Sequence, residues 1–352
     1  MSTNQPSGYR DRATLMAALT LSLTGRYRRQ GNEAAAGIRL WADAESVQLT
    51  LVDDGGVAEA AIEAYTSWVG TVDLLIGPYS SGLVRAIAPY LRHVGQLLWN
   101  HGGSADDLAQ RGIVSLGAPA SSYLHPVLDE AIRRRIPRIL IVKGAGRFAR
   151  AVADGAVAYA VKRDVSAQTI SADDIADRAF EAVAVLVAGD FDHALGVIER
   201  LHRLAPPQRP PLLAAVAAGI QAFGQEAGAA AEGVLGPAQW WPTEQKPKIG
   251  PSGTAFAEWY RRQNGNEPSY VAAQAAAAGY LAQAAYGLGL TPDDVLQWQT
   301  STLLGDFALD PDWRQSGHRI TTVQWRNGNM QRLRSGRAEA PQESRTRGSR
   351  TA

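Results

Sequence analysis

Cysteine is absent from this 352-residue chain. That excludes disulfides, thiol nucleophiles and cysteine-ligated metals, and it fits any redox compartment. A charge excess is absent too: 35 basic and 34 acidic residues leave a net +1. Such a balance provides no field for drawing in nucleic acid or an anionic membrane, so neither is an expected partner. No apolar run approaches the ~18 residues of a membrane span, and no membrane insertion is expected. The six histidines, at 93, 101, 125, 193, 202 and 318, show neither HxxxH nor HExxH spacing, so no metal site is expected.

Catalytic signatures are missing as well. Tyr79-Ser80-Ser81-Gly82 lacks the first glycine of a GxSxG elbow. Gly144-Ala145-Gly146 lacks both the third glycine of a dinucleotide loop and the GK[ST] ending of a P-loop. The acidic pairs Asp53-Asp54, Asp106-Asp107 and Asp173-Asp174 sit at turns or helix starts, where acids occur without catalysis. With no set of nucleophile, base and orienter, the chain reads as a non-enzyme that needs no cofactor. At the N-terminus, Arg10 and Arg12 precede an apolar run over 13–23, as in a signal peptide. Thr14, Thr20 and Ser22 dilute the run and no small-x-small cleavage site follows, so it reads as a first core strand. Residues 1–11 and 336–352 are expected to be disordered.

What the chain has is alternation. Hydrophobic residues make up 45% of it, enough for a sizeable core in one large or two medium domains. Strand patterns at 13–22, 47–52, 72–76, 96–99, 113–116, 138–142, 182–187 and 211–216 are separated by helical patterns, including 32–44, 57–68, 81–92, 123–135, 147–162 and 191–204. Strands separated by helices imply βαβ units and parallel sheets, an α/β fold. Later the rhythm changes: a strand at 234–240, a Pro-rich loop at 241–251, helices at 252–263, 270–288 and 292–302, and a closing hairpin over 320–333 turning at Asn327-Gly328. Ligands of open α/β sheets sit beyond the carboxyl ends of the strands. The stretch LLIGPYSSG at 74–82 is such an end: a buried strand, a Gly-Pro break, and two serines opening a helix. Free N–H groups beside two hydroxyls suit an anionic or carbonyl oxygen, while plain helix capping is the ordinary role of serines there.

LTGRYRRQGNEAAAGIRLW, VDDGG, LLIGPYSSGLVRAIAP, PASSYLHP and PSYVAAQAAAAGYLAQA, in that order, resemble the periplasmic binding proteins of the leucine/isoleucine/valine type. The resemblance runs from about Ala13 to Leu333. It implies the type I periplasmic-binding fold: two Rossmann-like lobes with parallel sheets, joined by a three-crossing hinge and closing on a ligand. Lobe one would comprise 12–120 plus 243–304, and lobe two 121–242 plus 305–335.

The resemblance also implies a ligand site. Ser81 matches a hydroxyl that holds a ligand carboxylate, and Gly102 and Ser104 match a backbone group and a hydroxyl of the same cradle. Gln30 matches a position closing over the ligand, Ser122 a polar contact with Tyr123 beside it, Phe148 an aromatic cover, and Asp190 a further lobe-two contact. Four of these have an ordinary alternative: helix capping for Ser104 and Asp190, an exposed helix start for Gln30, core for Phe148. Two departures stand out. The loop Ala217-Ala218-Gly219 holds no acid where amino-acid binders place one, and an ammonium shut in without a counter-charge is costly. Either Asp190 supplies the charge or the ligand has no ammonium. Trp99, Asn100 and His101 replace small residues, so Trp99 and His101 either stack on a planar ligand or fill core. The expected function is the solute-binding component of an ABC-type importer for a small carboxylate-, amide- or amino-acid-like ligand, partnered by ABC permease subunits and periplasmic. The alternative is a cytoplasmic amide-type sensor acting on a regulatory protein.

Overall fold

The computed structural model describes residues 14–91, 95–175, 180 and 182–333; the expected disorder of 1–11 and 336–352 lies outside them. The first part of the chain runs β1 (Met16–Leu21), α1 (Arg28–Glu45), β2 (Gln48–Asp53), α2 (Ala58–Trp68), β3 (Leu74–Ile76), α3 (Ser81–Leu91), β4 (Leu98–Asn100) and β5 (Ile113–Ser115). The second runs α4 (His125–Arg133), β6 (Arg138–Lys143), α5 (Gly146–Val161), β7 (Ser166–Ile170), β8 (Val183–Ala188), α6 (Phe191–His202), β9 (Leu212–Ala215), α7 (Gln221–Ala227) and β10 (Leu235–Ala238). Then come α8 (Gly253–Asn264), α9 (Tyr270–Gly287), α10 (Pro292–Gln297), β11 (Thr300–Thr302), β12 (Gly305–Phe307), β13 (Thr321–Arg326) and β14 (Asn329–Arg332).

Two sheets result. One is all-parallel, in the order β2-β1-β3-β4-β5. The other is ordered β14-β13-β10-β9-β8-β6-β7, parallel except for the antiparallel edge made by β13 and β14. Central strands such as β8, VAVLVA, are buried on both faces, as strands covered by helices on either side must be. Each sheet carries its own pair of cores. Trp41, Trp99 and Phe256 pack on one side of the first sheet and Tyr65, Leu75 and Ile87 on the other. Phe180, Phe223 and Trp325 pack on one side of the second, and Leu128, Val152 and Leu186 on the other. The chain passes between the sheets three times: from β5 to β6, back from β10 to α8, whose Phe256 lies in the first core, and again from β12 to β13. The first core reaches as far as Leu309 and Trp313.

Helix α9, YVAAQAAAAGYLAQAAYG, is buried over most of its circumference. It packs along α1 so closely that glycine is needed at both contact points. A Cβ at Gly37 would lie 2.1 Å from the Ala272 carbonyl oxygen, and one at Gly279 2.2 Å from the Trp41 ring.

The structure departs from the sequence pattern in a few places. The helix expected over 292–302 stops at Gln297, because Thr300–Thr302 pairs antiparallel with Gly305–Phe307 and buries Thr300 and Thr302. The first helix begins at Arg28 rather than at 32. The helix expected over 123–135 ends at Arg133; Arg133 and Arg134 fold back onto the buried Glu130 carboxylate, and Arg135 takes a left-handed φ of 58°. Strand β7 and helix α7 add to the elements the sequence pattern implies. The closing hairpin turns at Asn327 (φ 51°) and Gly328 (φ 72°), the two positive φ values of a type I′ turn.

Candidate ligand-binding cleft

The first wall grows from the ends of β3 and β4. After Ile76, Gly77-Pro78 ends the strand, and Ser80 caps α3: its Oγ accepts the Leu83 N–H at 3.3 Å. Ser81 has a different task. Its Oγ accepts the N–H groups of Ser104 and Ala105, both at 3.0 Å. Those bonds use the oxygen's lone pairs and leave the Ser81 O–H free to donate. The loop after β4 is tied from within by Asn100, whose amide accepts from Gly103 N–H at 2.7 Å and donates to the Gly103 carbonyl and the Ser115 hydroxyl, each at 2.8 Å. The Ala120 N–H donates to the Ser104 carbonyl at 2.7 Å. Ser104 is therefore not the cap of the Asp106–Leu108 turn; its side chain neighbours the Tyr123 hydroxyl.

The second wall comes from the start of α5, with Arg147 and Phe148, and from the start of α6, where Asp190 Oδ1 accepts the His193 N–H at 3.0 Å. Asp190 thus caps its helix while its exposed carboxylate borders the cleft. Phe148 is 37% exposed and meets Tyr123 edge-on, ring centroids 5.5 Å apart. Between the walls lies a cavity of ≈ 650 Å³, a size suited to a small organic molecule.

Eight expected residues line this cavity: Gln30, Ser81, His101, Gly102, Ser104, Tyr123, Phe148 and Asp190. Two do not. Trp99 points the other way off β4 and packs in the first core beside Phe307, ring centroids 6.5 Å apart; it is core and not a ligand platform. Ser122 donates its hydroxyl to the Pro119 carbonyl at 2.8 Å within a tight turn, away from the cavity lining.

The cavity's chemistry differs along its depth. Burial pushes the His101 imidazole down to about 4, against a smaller opposing pull from the Gly77 backbone, and neither ring nitrogen makes a hydrogen bond. The ring is neutral at neutral pH. Burial also holds the phenols of Tyr79, Tyr123 and Tyr270 above their ordinary range, so they remain neutral donors; the hydroxyls of Tyr79 and Tyr270 lie 3.3 Å apart. Charge sits nearer solvent. Arg85 makes a two-bond pair with Asp107, both distances 2.8 Å, and Arg147 makes no ion pair among the described residues. No group of three or more potential metal ligands occurs among the described residues.

Sequence reasoning passed over Tyr27, Tyr79, Tyr270, Arg147, Gln239 and Gln274, all of which line the cavity. One signal was available: Gln274 is the one polar side chain in the apolar run Val271 to Gly279 of α9, where a polar residue needs a reason.

A sequence model of the family described as "Periplasmic binding protein" matches residues 15–329. The chain belongs to this periplasmic binding protein family. No curated protein matches it in sequence. Solved structures of similar shape agree. A substrate-binding protein of an ABC transporter from Sphaerobacter thermophilus aligns with a TM-score of 0.76 at 15% identity, over 91% of this chain and 96% of that one. The branched-chain amino acid binding protein LivJ of Streptococcus pneumoniae, in complex with isoleucine, aligns at 0.71 and 17%, over 91% and 99%. A solute-binding protein of R. palustris, in complex with benzoate, aligns at 0.68 and 16%, over 91% and 96%. At such identities the likeness concerns the fold. This periplasmic binding protein therefore has the two-lobed type I architecture that its motifs suggest, and no helix among the described residues is long and apolar enough to cross a membrane.

Proposed function

We propose that this chain is the solute-binding component of an ABC-type importer, taking a small carboxylate-, amide- or amino-acid-like ligand between its lobes. One observation carries the reading: a ≈ 650 Å³ cavity is lined from both sheets, with the Ser81, Gly102 and Ser104 cradle facing Phe148 and Asp190. The cradle offers an O–H and backbone groups to a ligand oxygen. Phe148 covers an apolar part, and Asp190 would stand in for the acid missing from Ala217-Ala218-Gly219 if the ligand carries an ammonium. Gln30, His101 and Tyr123 complete the contacts. The lobes would be 12–120 plus 243–304 and 121–242 plus 305–335, except that Phe307, Leu309 and Trp313 pack in the first core, which favours a last crossing after residue 313 rather than at 305. Ligand contact with both walls would favour the closed arrangement. The protein would act in the periplasm, deliver its ligand to permease subunits and leave it chemically unchanged.

A thermal-shift panel of amino acids, short amides, ureas and aromatic and aliphatic carboxylates tests this. A concentration-dependent rise in melting temperature with one class, and recovery of that compound unaltered by mass spectrometry, is the expected result. Conversion of the compound, or no response to any class, would overturn it.

A further inference from the structure

The buried end of the cavity contains polar groups with nothing to bind. Gln239, just past the end of β10, is 4% exposed, yet neither its Oε1 nor its Nε2 has a hydrogen-bond partner. Gln274 on α9, also 4% exposed, brings a second side-chain amide to the same place. Both border the cavity and both face Gly117. A Cβ placed there would stand 2.8 Å from Gln274 Nε2 and 3.8 Å from Gln239 Oε1, so the missing side chain keeps open the space shared by the two amides. Buried amides are ordinarily paired, and leaving the donor and the acceptor of Gln239 unmet is costly. A ligand that fills them removes that cost.

From this we infer that Gln239 and Gln274 form the reading head for an uncharged, planar donor–acceptor group on the ligand: a primary carboxamide or a ureido group. Two carboxamide side chains offer N–H donors and carbonyl acceptors together, and a carboxamide or urea presents the same pair in reverse. A carboxylate has only acceptors and an ammonium only donors, so either would leave half of the head unmet. Formal charge would also be uncompensated there, since the third buried polar side chain, His101, is neutral and unpartnered. Charged ligand groups belong at the open end, near Arg147 and Asp190. This rests on the binding-protein reading above and specifies its ligand.

Calorimetric titration of the full chain with benzamide, phenylurea, isobutyramide, benzoate, isobutyrate and L-leucine tests it. An amide or urea should bind at least 10-fold more tightly than its isosteric carboxylate and than leucine. Gln239→Leu and Gln274→Met should each cut that amide affinity 10- to 100-fold, while Gln239→Glu shifts preference toward amines. Each variant's thermal melt checks that it is folded. Preference for a carboxylate or leucine, or amide binding indifferent to both glutamine variants, overturns the inference while a response to Ser81→Ala still upholds the cleft. Failure of all six probes to bind overturns both.

Discussion

The two walls of the cleft are built to different standards. On the first, Ser81 holds two backbone N–H groups, Asn100 makes three bonds across its loop, and the Ala120 N–H closes onto the Ser104 carbonyl. On the second, Phe148 and Asp190 are exposed, and Arg147 makes no ion pair with any described residue. A wall already locked by internal bonds loses little entropy when ligand arrives, whereas an open wall loses rotamer freedom at that moment. Ligand binding should thus start on the first wall and be completed by the second.

The largest expected effect falls behind the first wall. Trp99→Ala removes a buried ring from the core and should cost ~3–5 kcal/mol of stability, read by chemical denaturation. A change confined to ligand affinity would return Trp99 to the cleft. Acid should come next. His101 and His318 are both buried, without partners, and pushed down to about 4. Unfolded histidine takes up a proton near 6.5. As pH falls from 6.5 toward 4 the unfolded chain gains protons that the folded chain refuses, so stability declines by a few kcal/mol over that window. Melting curves between pH 7 and 4.5 measure this, and His318→Phe should flatten the decline. Flat melting temperatures over that range would contradict the buried, neutral state.

Ser81→Ala strikes the cradle. It frees two N–H groups and deletes the remaining donor, and it should weaken binding of the best panel ligand by about 1–3 kcal/mol in calorimetry. An unchanged dissociation constant would move the site elsewhere. The smallest effect belongs to the open wall: Phe148→Ala should leave stability within about 0.5 kcal/mol while weakening binding by roughly 1 kcal/mol, for loss of an aromatic contact. Equal losses of stability from Phe148→Ala and Trp99→Ala would erase the contrast between the walls.

The βαβ alternation, both sheets' main strands and the hairpin turn were legible because apolar strands, helical spacing and Asn-Gly each have a strong local cause. Strand β7, SAQTI, escaped notice because an edge strand with exposed alternate residues has too little apolar content to stand out. Segment Thr300–Thr302 read as helix because its pairing with Gly305–Phe307 is not a local property. Parallel strands buried on both faces also hide direction. Leu98 and Trp99 are both buried, and which of the two cores each enters depends on register, not composition. The serine cradle was legible by its helix-start position. Gln239 and Gln274 come from distant segments and gain meaning only where both approach Gly117.

Position along the chain gives Gln239 one more property. It follows β10 directly, at the second of the three passages between the sheets. In a molecule that swings about those passages, Gln239 would lie close to the fulcrum and travel little, whereas the side chains at the helix starts of the second wall, Phe148 and Asp190, would move with their lobe. A contact near a pivot exerts almost no torque, so Gln239 can decide which molecule stays without deciding whether the jaws shut. Selection and closure would then be adjustable separately, the first by changes at the axle and the second by changes at the tips.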